Sequence, residues 1–202
     1  MTARRLQDFT GAGHDKGRST GWQIAWWAVS NLVFRAWWCP ARLRPAILRA
    51  FGARVGRGVN IRNDVRVHWP WKLEIGDHCW LGEGAWLLNL EAITLGDQVC
   101  VSQEAVLCTG SHRLRDPAFA YDNAPIVIGD GAWVALRAIV LRGVVVPADG
   151  LVSAGSVLAR TPDTPAAPAA PAAPAAPVIP SLPRQRREAL GRVPGRAEGV
   201  VR

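Results

Sequence analysis

The segment Leu107-Cys108-Thr109-Gly110-Ser111-His112 ends on a histidine at the mouth of the one long interruption in an otherwise regular chain. Imidazole exchanges its proton near neutral pH. Fixed at the base of a loop on a rigid scaffold, it suits a general base; the same position also fits an exposed turn histidine. The remaining histidines offer less. His14 lies in a polar opening segment, and His68 and His78 fall at turns. No histidine follows His112 at the four- or five-residue spacing of a zinc pair, so no metal is expected. The four cysteines, Cys39, Cys79, Cys100 and Cys108, form no CxxC pair and read as reduced thiols of a cytoplasmic protein. Asp77, Asp97 and Asp130 each follow an aliphatic-Gly pair and suit hydrogen bonding at turns. The chain shows no nucleophile elbow, phosphate-binding loop or dinucleotide glycine fingerprint.

What must position these groups is a six-residue repeat. Val55, Ile61, Val67; Ile75, Leu81, Leu87; Leu95, Val101, Leu107; Ile128, Val134, Val140; and Val146, Val152, Leu158 are all aliphatic, in sets of three hexads. Gly56, Gly76, Gly82, Gly96 and Gly129 follow five of them, and the fifth position is often small, as at Cys79, Ala85, Ala105, Ala132 and Ala138. Each hexad reads as a short strand and a turn, with the aliphatic residue inward and the glycine supplying backbone freedom for the corner. Three hexads close one triangular coil, and stacked coils bury a core that no single coil could bury. The first openings are twenty residues apart, at 55, 75 and 95, but the next comes at 128, which leaves a loop over 113–125. A β-sandwich would alternate with period two, and an α/β domain would interleave long helices; neither pattern is present.

The flanks differ in kind. Residues 1–20 read as a flexible N-terminus and 21–54 as a helical segment. The Trp22–Trp38 run is apolar nearly all round and reads as one helix ended by Pro40; a second helix runs from Leu43 to Phe51 and stops at Gly52. The first run is shorter than the about 20 apolar residues of a membrane span and carries Gln23, Asn31 and Arg35. It fits a helix packed on the body or a neighbouring subunit, and it fits an interfacial helix in peripheral contact with a membrane. No small-x-small cleavage site follows, so a signal peptide is not expected. Residues 55–160 form the repeat domain, and 161–202 read as a disordered tail, rich in Ala and Pro and then in Arg. The formal net charge is +8. The Arg-rich end lacks interleaved aromatics for base stacking, so no nucleic-acid partner is expected.

Trp69-Pro70-Trp71-Lys72-Leu73-Glu74-Ile75-Gly76-Asp77, Trp80-Leu81-Gly82-Glu83-Gly84, Val99-Cys100-Val101-Ser102-Gln103, Leu107-Cys108-Thr109-Gly110-Ser111-His112 and Asp116-Pro117-Ala118-Phe119 resemble the hexapeptide-repeat acyltransferases. Within that family they are most similar to the colanic-acid-biosynthesis O-acetyltransferases, over roughly residues 17 to 160. The resemblance implies an all-β fold, a left-handed parallel β-helix, assembled as a homotrimer with active sites between subunits. It implies acetyl transfer from acetyl-CoA to a sugar hydroxyl in exopolysaccharide biosynthesis, without metal, in the cytoplasm or at the inner face of the membrane. His112 matches the catalytic base of the family. Leu136 matches the backbone N–H donor to the oxyanion, Ala154 and Arg160 match the CoA channel, and Asn89 matches a polar position facing the acceptor pocket. Arg113 stands where the family usually has an acidic or polar residue, and the Ala-Pro tail stands where it has a closing Gly-Asn-Pro-Ala segment. The alternative is a catalytically decayed trimeric scaffold or binding protein that keeps the coil.

Overall fold

The computed structural model describes residues 6–11 and 13–159. The tail over 161–202 lies outside the described residues. Five coils are stacked, each contributing one strand to each of three parallel sheets. The first sheet holds β1 (Arg54–Val55), β4 (Leu73–Ile75), β7 (Ile93–Leu95), β10 (Ile126–Ile128) and β13 (Val145–Val146). The second holds β2 (Asn60–Ile61), β5 (Trp80–Leu81), β8 (Cys100–Val101), β11 (Trp133–Val134) and β14 (Leu151–Val152). The third holds β3 (Arg66–Val67), β6 (Trp86–Leu88), β9 (Val106–Cys108), β12 (Ile139–Leu141) and β15 (Val157–Leu158).

The register puts the hexad residues in three columns: Val55-Ile75-Leu95-Ile128-Val146, Ile61-Leu81-Val101-Val134-Val152 and Val67-Leu87-Leu107-Val140-Leu158. All are buried except the two at the ends of the stack, Val55, which is half-buried, and Leu158, which is exposed. Strand alternation turns the residue two places earlier inward as well. Leu73, Cys79, Ala85, Ile93, Ala105, Ile126, Ala132 and Ala138 therefore fill the same core.

The structure corrects the role expected of the second-position glycines. None of Gly56, Gly76, Gly82, Gly96 and Gly129 takes a left-handed conformation. They are small because the coils approach closely there: a Cβ on Gly76 would lie 2.4 Å from Asp97 Oδ1 and 2.5 Å from the Gly96 carbonyl oxygen. The left-handed residue is the fourth of the hexad, glycine at Gly84 and Gly131 but also Asp64, His78, Gln98, Glu104, Arg137 and Asp149. Asp77, Asp97 and Asp130, expected to bond at their turns, bond across coils instead. Each accepts a backbone N–H one coil earlier, from Arg57 (2.7 Å), Asp77 (2.7 Å) and Asp97 (2.8 Å).

The N-terminal helices close the bottom of the stack. The helix expected to run to Pro40 is α1 (Thr20–Val29) continued by a π-helical turn, Ser30–Phe34. It ends early because tertiary donors take its last carbonyls. The buried Arg44 guanidinium donates to the carbonyls of Phe34 (2.8 Å), Ala36 (2.8 Å) and Ile61 (3.2 Å), and the Asp64 N–H donates to Arg35 O (3.0 Å). Arg44 opens α2 (Arg44–Ala50), which finishes on Gly52 at φ +94°. Trp26, Phe34 and Leu48 are buried against the first coil, and Trp26 Nε1 donates to the Val67 carbonyl at 3.0 Å. No helix among the described residues is long and apolar enough to cross a membrane.

Candidate active site

The chain leaves the stack after β9 and returns at β10 through a hairpin. Thr109 to Arg113 run antiparallel to Ala120 to Ala124, with Arg113 N–H donating to Ala120 O, Asp122 N–H to Ser111 O, and Ala124 N–H to Thr109 O (2.8–3.1 Å). Asn123 Oδ1 accepts the Ser111 N–H at 3.0 Å. Asp122 forms an ion pair with Arg142, which ties the return leg to the fourth coil. The expected loop over 113–125 is thus a structured arm whose base includes His112.

The His112 ring lies parallel to Phe119 (4.1 Å between centroids, 4°) and leans on Tyr121 (4.9 Å, 27°). Its Nδ1 is 2.7 Å from the Phe119 carbonyl oxygen. A carbonyl only accepts, so Nδ1 carries the hydrogen and Nε2 presents its lone pair. This is the tautomer a general base needs, held by a backbone atom rather than by a carboxylate.

The opening segment, expected to be flexible, packs onto this arm. Phe9 stands edge-on to His112 (5.3 Å), Phe119 (6.4 Å) and Tyr121 (5.3 Å). The segment is anchored by Trp71 Nε1 donating to Lys16 O (2.8 Å) and Lys72 Nζ donating to Asp15 O (2.6 Å). His14 is buried against Tyr121 (5.2 Å) with Nδ1 3.9 Å from Glu91 Oε1, and neither ring nitrogen has a hydrogen-bond partner. Burial, with Lys72 next in effect, holds the His14 pKa below that of a free histidine. His68, at the corner one coil below Asn89, leans on Trp69 (4.2 Å, 59°), and burial pushes its pKa down to about 4. Phe9, His14 and Tyr121 were not legible as site residues, because their contacts to the arm cross long stretches of sequence. The one signal was Tyr121, the sole tyrosine of the chain, two places beyond Phe119 as on a returning strand.

The expected site residues fall into two groups. Asn89 and His112 belong to the edge that follows the third sheet. Asn89 departs from the expected place facing open space: it is fully buried, its Oδ1 accepts the N–H groups of His68 (3.1 Å) and Trp69 (3.0 Å), and its Nδ2 donates to Trp69 O (2.6 Å). The amide is consumed in holding two corners together. Leu136 and Ala154 share the edge that follows the second sheet, one coil apart, where Gly155 N–H donates to Leu136 O (2.9 Å). Both are exposed. The two edges are separated by one face of the prism, roughly 15–20 Å for about six residues at 3.3 Å each. Arg160 lies outside the described residues. No cluster of metal-ligating side chains is present among the described residues.

No family model matches the chain. A stacked three-sided coil of hexads nevertheless defines a class, and known proteins share it. The chain is 39% identical over 157 residues to a protein of Escherichia coli (strain K12) that carries the name colanic acid biosynthesis acetyltransferase WcaF, across 75% of this chain and 85% of that protein. Among solved structures, a hexapeptide-repeat acetyltransferase of Vibrio cholerae superposes with a TM-score of 0.62 at 24% identity, over 68% of this chain and 78% of that one. The same protein solved with acetyl coenzyme A gives 0.65 at 21% identity, over 76% and 85%. A maltose O-acetyltransferase of Clostridium difficile 630 gives 0.62 at 21%, over 68% and 75%. The fold is the left-handed parallel β-helix of these enzymes. The chain belongs to the hexapeptide-repeat acyltransferases, in the branch that contains the colanic acid acetyltransferase.

Proposed function

We propose that the protein transfers an acetyl group from acetyl-CoA to a sugar hydroxyl during exopolysaccharide biosynthesis. The observation that carries this reading is the Nδ1-H tautomer of His112, fixed by Phe119 O, on a coil shared with acetyltransferases. His112 Nε2 takes the proton of the acceptor hydroxyl as its oxygen adds to the thioester carbonyl. The tetrahedral oxyanion is met by the Leu136 N–H, which makes no hydrogen bond among the described residues. When the C–S bond breaks, the imidazolium returns the proton to the departing thiolate, leaving a sugar acetate ester and CoA thiol. Exposed Ala154, one coil beyond Leu136, offers a small, apolar wall for the pantetheine arm, with Arg160 following in sequence.

His112 and Leu136 stand a face apart, too far to serve one carbon. A homotrimer answers this: the third-sheet edge of one copy meets the second-sheet edge of the next, and each site is assembled from two chains. The acetyltransferase reading also places the protein in the cytoplasm at the inner face of the membrane. There, exposed Leu32, Trp37 and Trp38 supply a peripheral contact.

Mixing the protein with acetyl-CoA and a panel of sugars and oligosaccharides should release free thiol, read with a chromogenic disulfide. His112→Ala should slow that release about 10²–10⁴-fold, the usual worth of a positioned base. Thiol release that ignores the substitution, or no release with any acceptor, defeats the reading in favour of a non-catalytic scaffold.

A further inference from the structure

A cavity of about 470 Å³ opens between α1 and the lower coils of the third sheet, within the range of small-ligand sites (about 300–1,000 Å³). Four indoles line it: Trp26, Trp27, Trp69 and Trp86. Trp27 is 69% exposed although it sits on a helix whose neighbour Trp26 is buried. Between the indoles lie polar side chains, among them Gln23, Asn31 and Arg66, and no lining residue is acidic.

Arg66 is the unusual member. Its guanidinium carbon stands 4.7 Å above the Trp86 ring, and its Nη2 makes only a long contact, 3.5 Å, to Gly84 O. It has no ion pair among the described residues, whereas the neighbouring Arg35 is engaged by Asp64 and Asn31. The Nε atoms of Arg66 and Trp69 are both buried without a partner. Burial keeps His68, which also lines the cavity, neutral. The groove therefore combines flat apolar rings with one uncompensated cation. An acyl chain would cover the rings and leave the charge unanswered. A sugar ring has apolar C–H faces for the indoles and oxygen acceptors at its rim, and an anionic substituent completes the match.

We propose that this groove is a second carbohydrate subsite, taking a sugar residue that carries a carboxylate or phosphate, with that anion on Arg66. The proposal rests on the sugar-acetylating reading for the identity of the chain that bears this residue: the acceptor spans more than one sugar, gripped here while another unit reaches His112. The occupancy of the groove itself is measured without acetyl transfer.

Isothermal titration of the full-length protein with a trisaccharide containing one hexuronate, with the same trisaccharide reduced to its neutral alcohol, and with a hexose 1-phosphate tests it. The hexuronate compound should bind at least about tenfold tighter than its neutral counterpart, and Arg66→Gln should abolish that difference. Trp27→Ala, at an exposed position that folding does not depend on, should weaken binding about tenfold, and Trp37→Ala, outside the groove, should leave it unchanged. Tighter binding of the hexose phosphate than of the hexuronate assigns the anion as phosphate. Equal affinity for the neutral compound, binding untouched by Arg66→Gln and Trp27→Ala, or no binding of any of the three overturns the subsite. So does Trp27-dependent adsorption to anionic vesicles without sugar binding, since the groove would then be a membrane face. The thiol-release assay reports separately, so the enzyme reading can stand if the subsite falls.

Discussion

His112 shows how far a residue's chemistry can be read from type and place. Its position at the mouth of the interruption was legible, because a break in a strict period is visible in the chain itself. Its tautomer was not, since the partner that fixes it is the carbonyl of Phe119. Asn89 was legible as a polar side chain near an expected pocket, but not as the group that holds the backbone of His68 and Trp69, for the same reason. His14 and His68 carry a consequence for pH. Both are less basic in the folded protein than a free histidine, His68 with a pKa of about 4. Between pH 6.5 and about 4 the unfolded chain gains protons there that the folded chain refuses, so stability falls as pH drops through that window and is complete above it. The melting temperature should therefore be lower at pH 4.5 than at pH 7.5, and His68→Gln should lose part of that difference. An unchanged difference in the variant would remove His68 as its cause.

At the scale of elements, the hexads marked one inward aliphatic of every strand, because its period of six recurs coil after coil, while the second inward residue, two places earlier, was legible only as often small. The glycines were legible as a pattern but not in their role. Positive φ sits elsewhere in the hexad, and the second-position glycines answer to the backbone of the next coil. Gly76→Ala should consequently cost about 1–3 kcal/mol, as forced overpacking does. Gly84→Ala pays a left-handed penalty of about 1–2 kcal/mol, yet its one tight contact is the flexible Glu104 side chain at 3.2 Å. Denaturant melts of both variants check this; a neutral Gly76→Ala would show that the coils can spread. The helix boundary was the least legible element. Nothing local in Ser30–Phe34 announces that Arg44, ten residues beyond Phe34, will capture its carbonyl.

For the whole molecule, the proposed roles of His112 and Leu136, a prism face apart, make assembly part of the proposed chemistry. Hybrid rings offer the sharpest check. Leu136→Pro removes the oxyanion donor and His112→Ala removes the base, so each variant alone should be inactive. Unfolded and refolded together in equal amounts, they should regain up to about a quarter of the wild-type rate, because some edges pair an intact histidine with an intact N–H. No recovery, with the mixed ring shown to form by sedimentation, would place both groups on one chain.

The hairpin that lifts His112 off the stack has a last implication. The ladders from β7 to β10 and from β9 to β12 run on as though nothing had been inserted between them. The arm is therefore a removable cassette: relatives can exchange its far end, between Arg113 and Ala120, for a longer or differently shaped one at little thermodynamic cost, since closure entropy grows only slowly with length. Divergence can then accumulate in this one segment while the scaffold beneath is left alone.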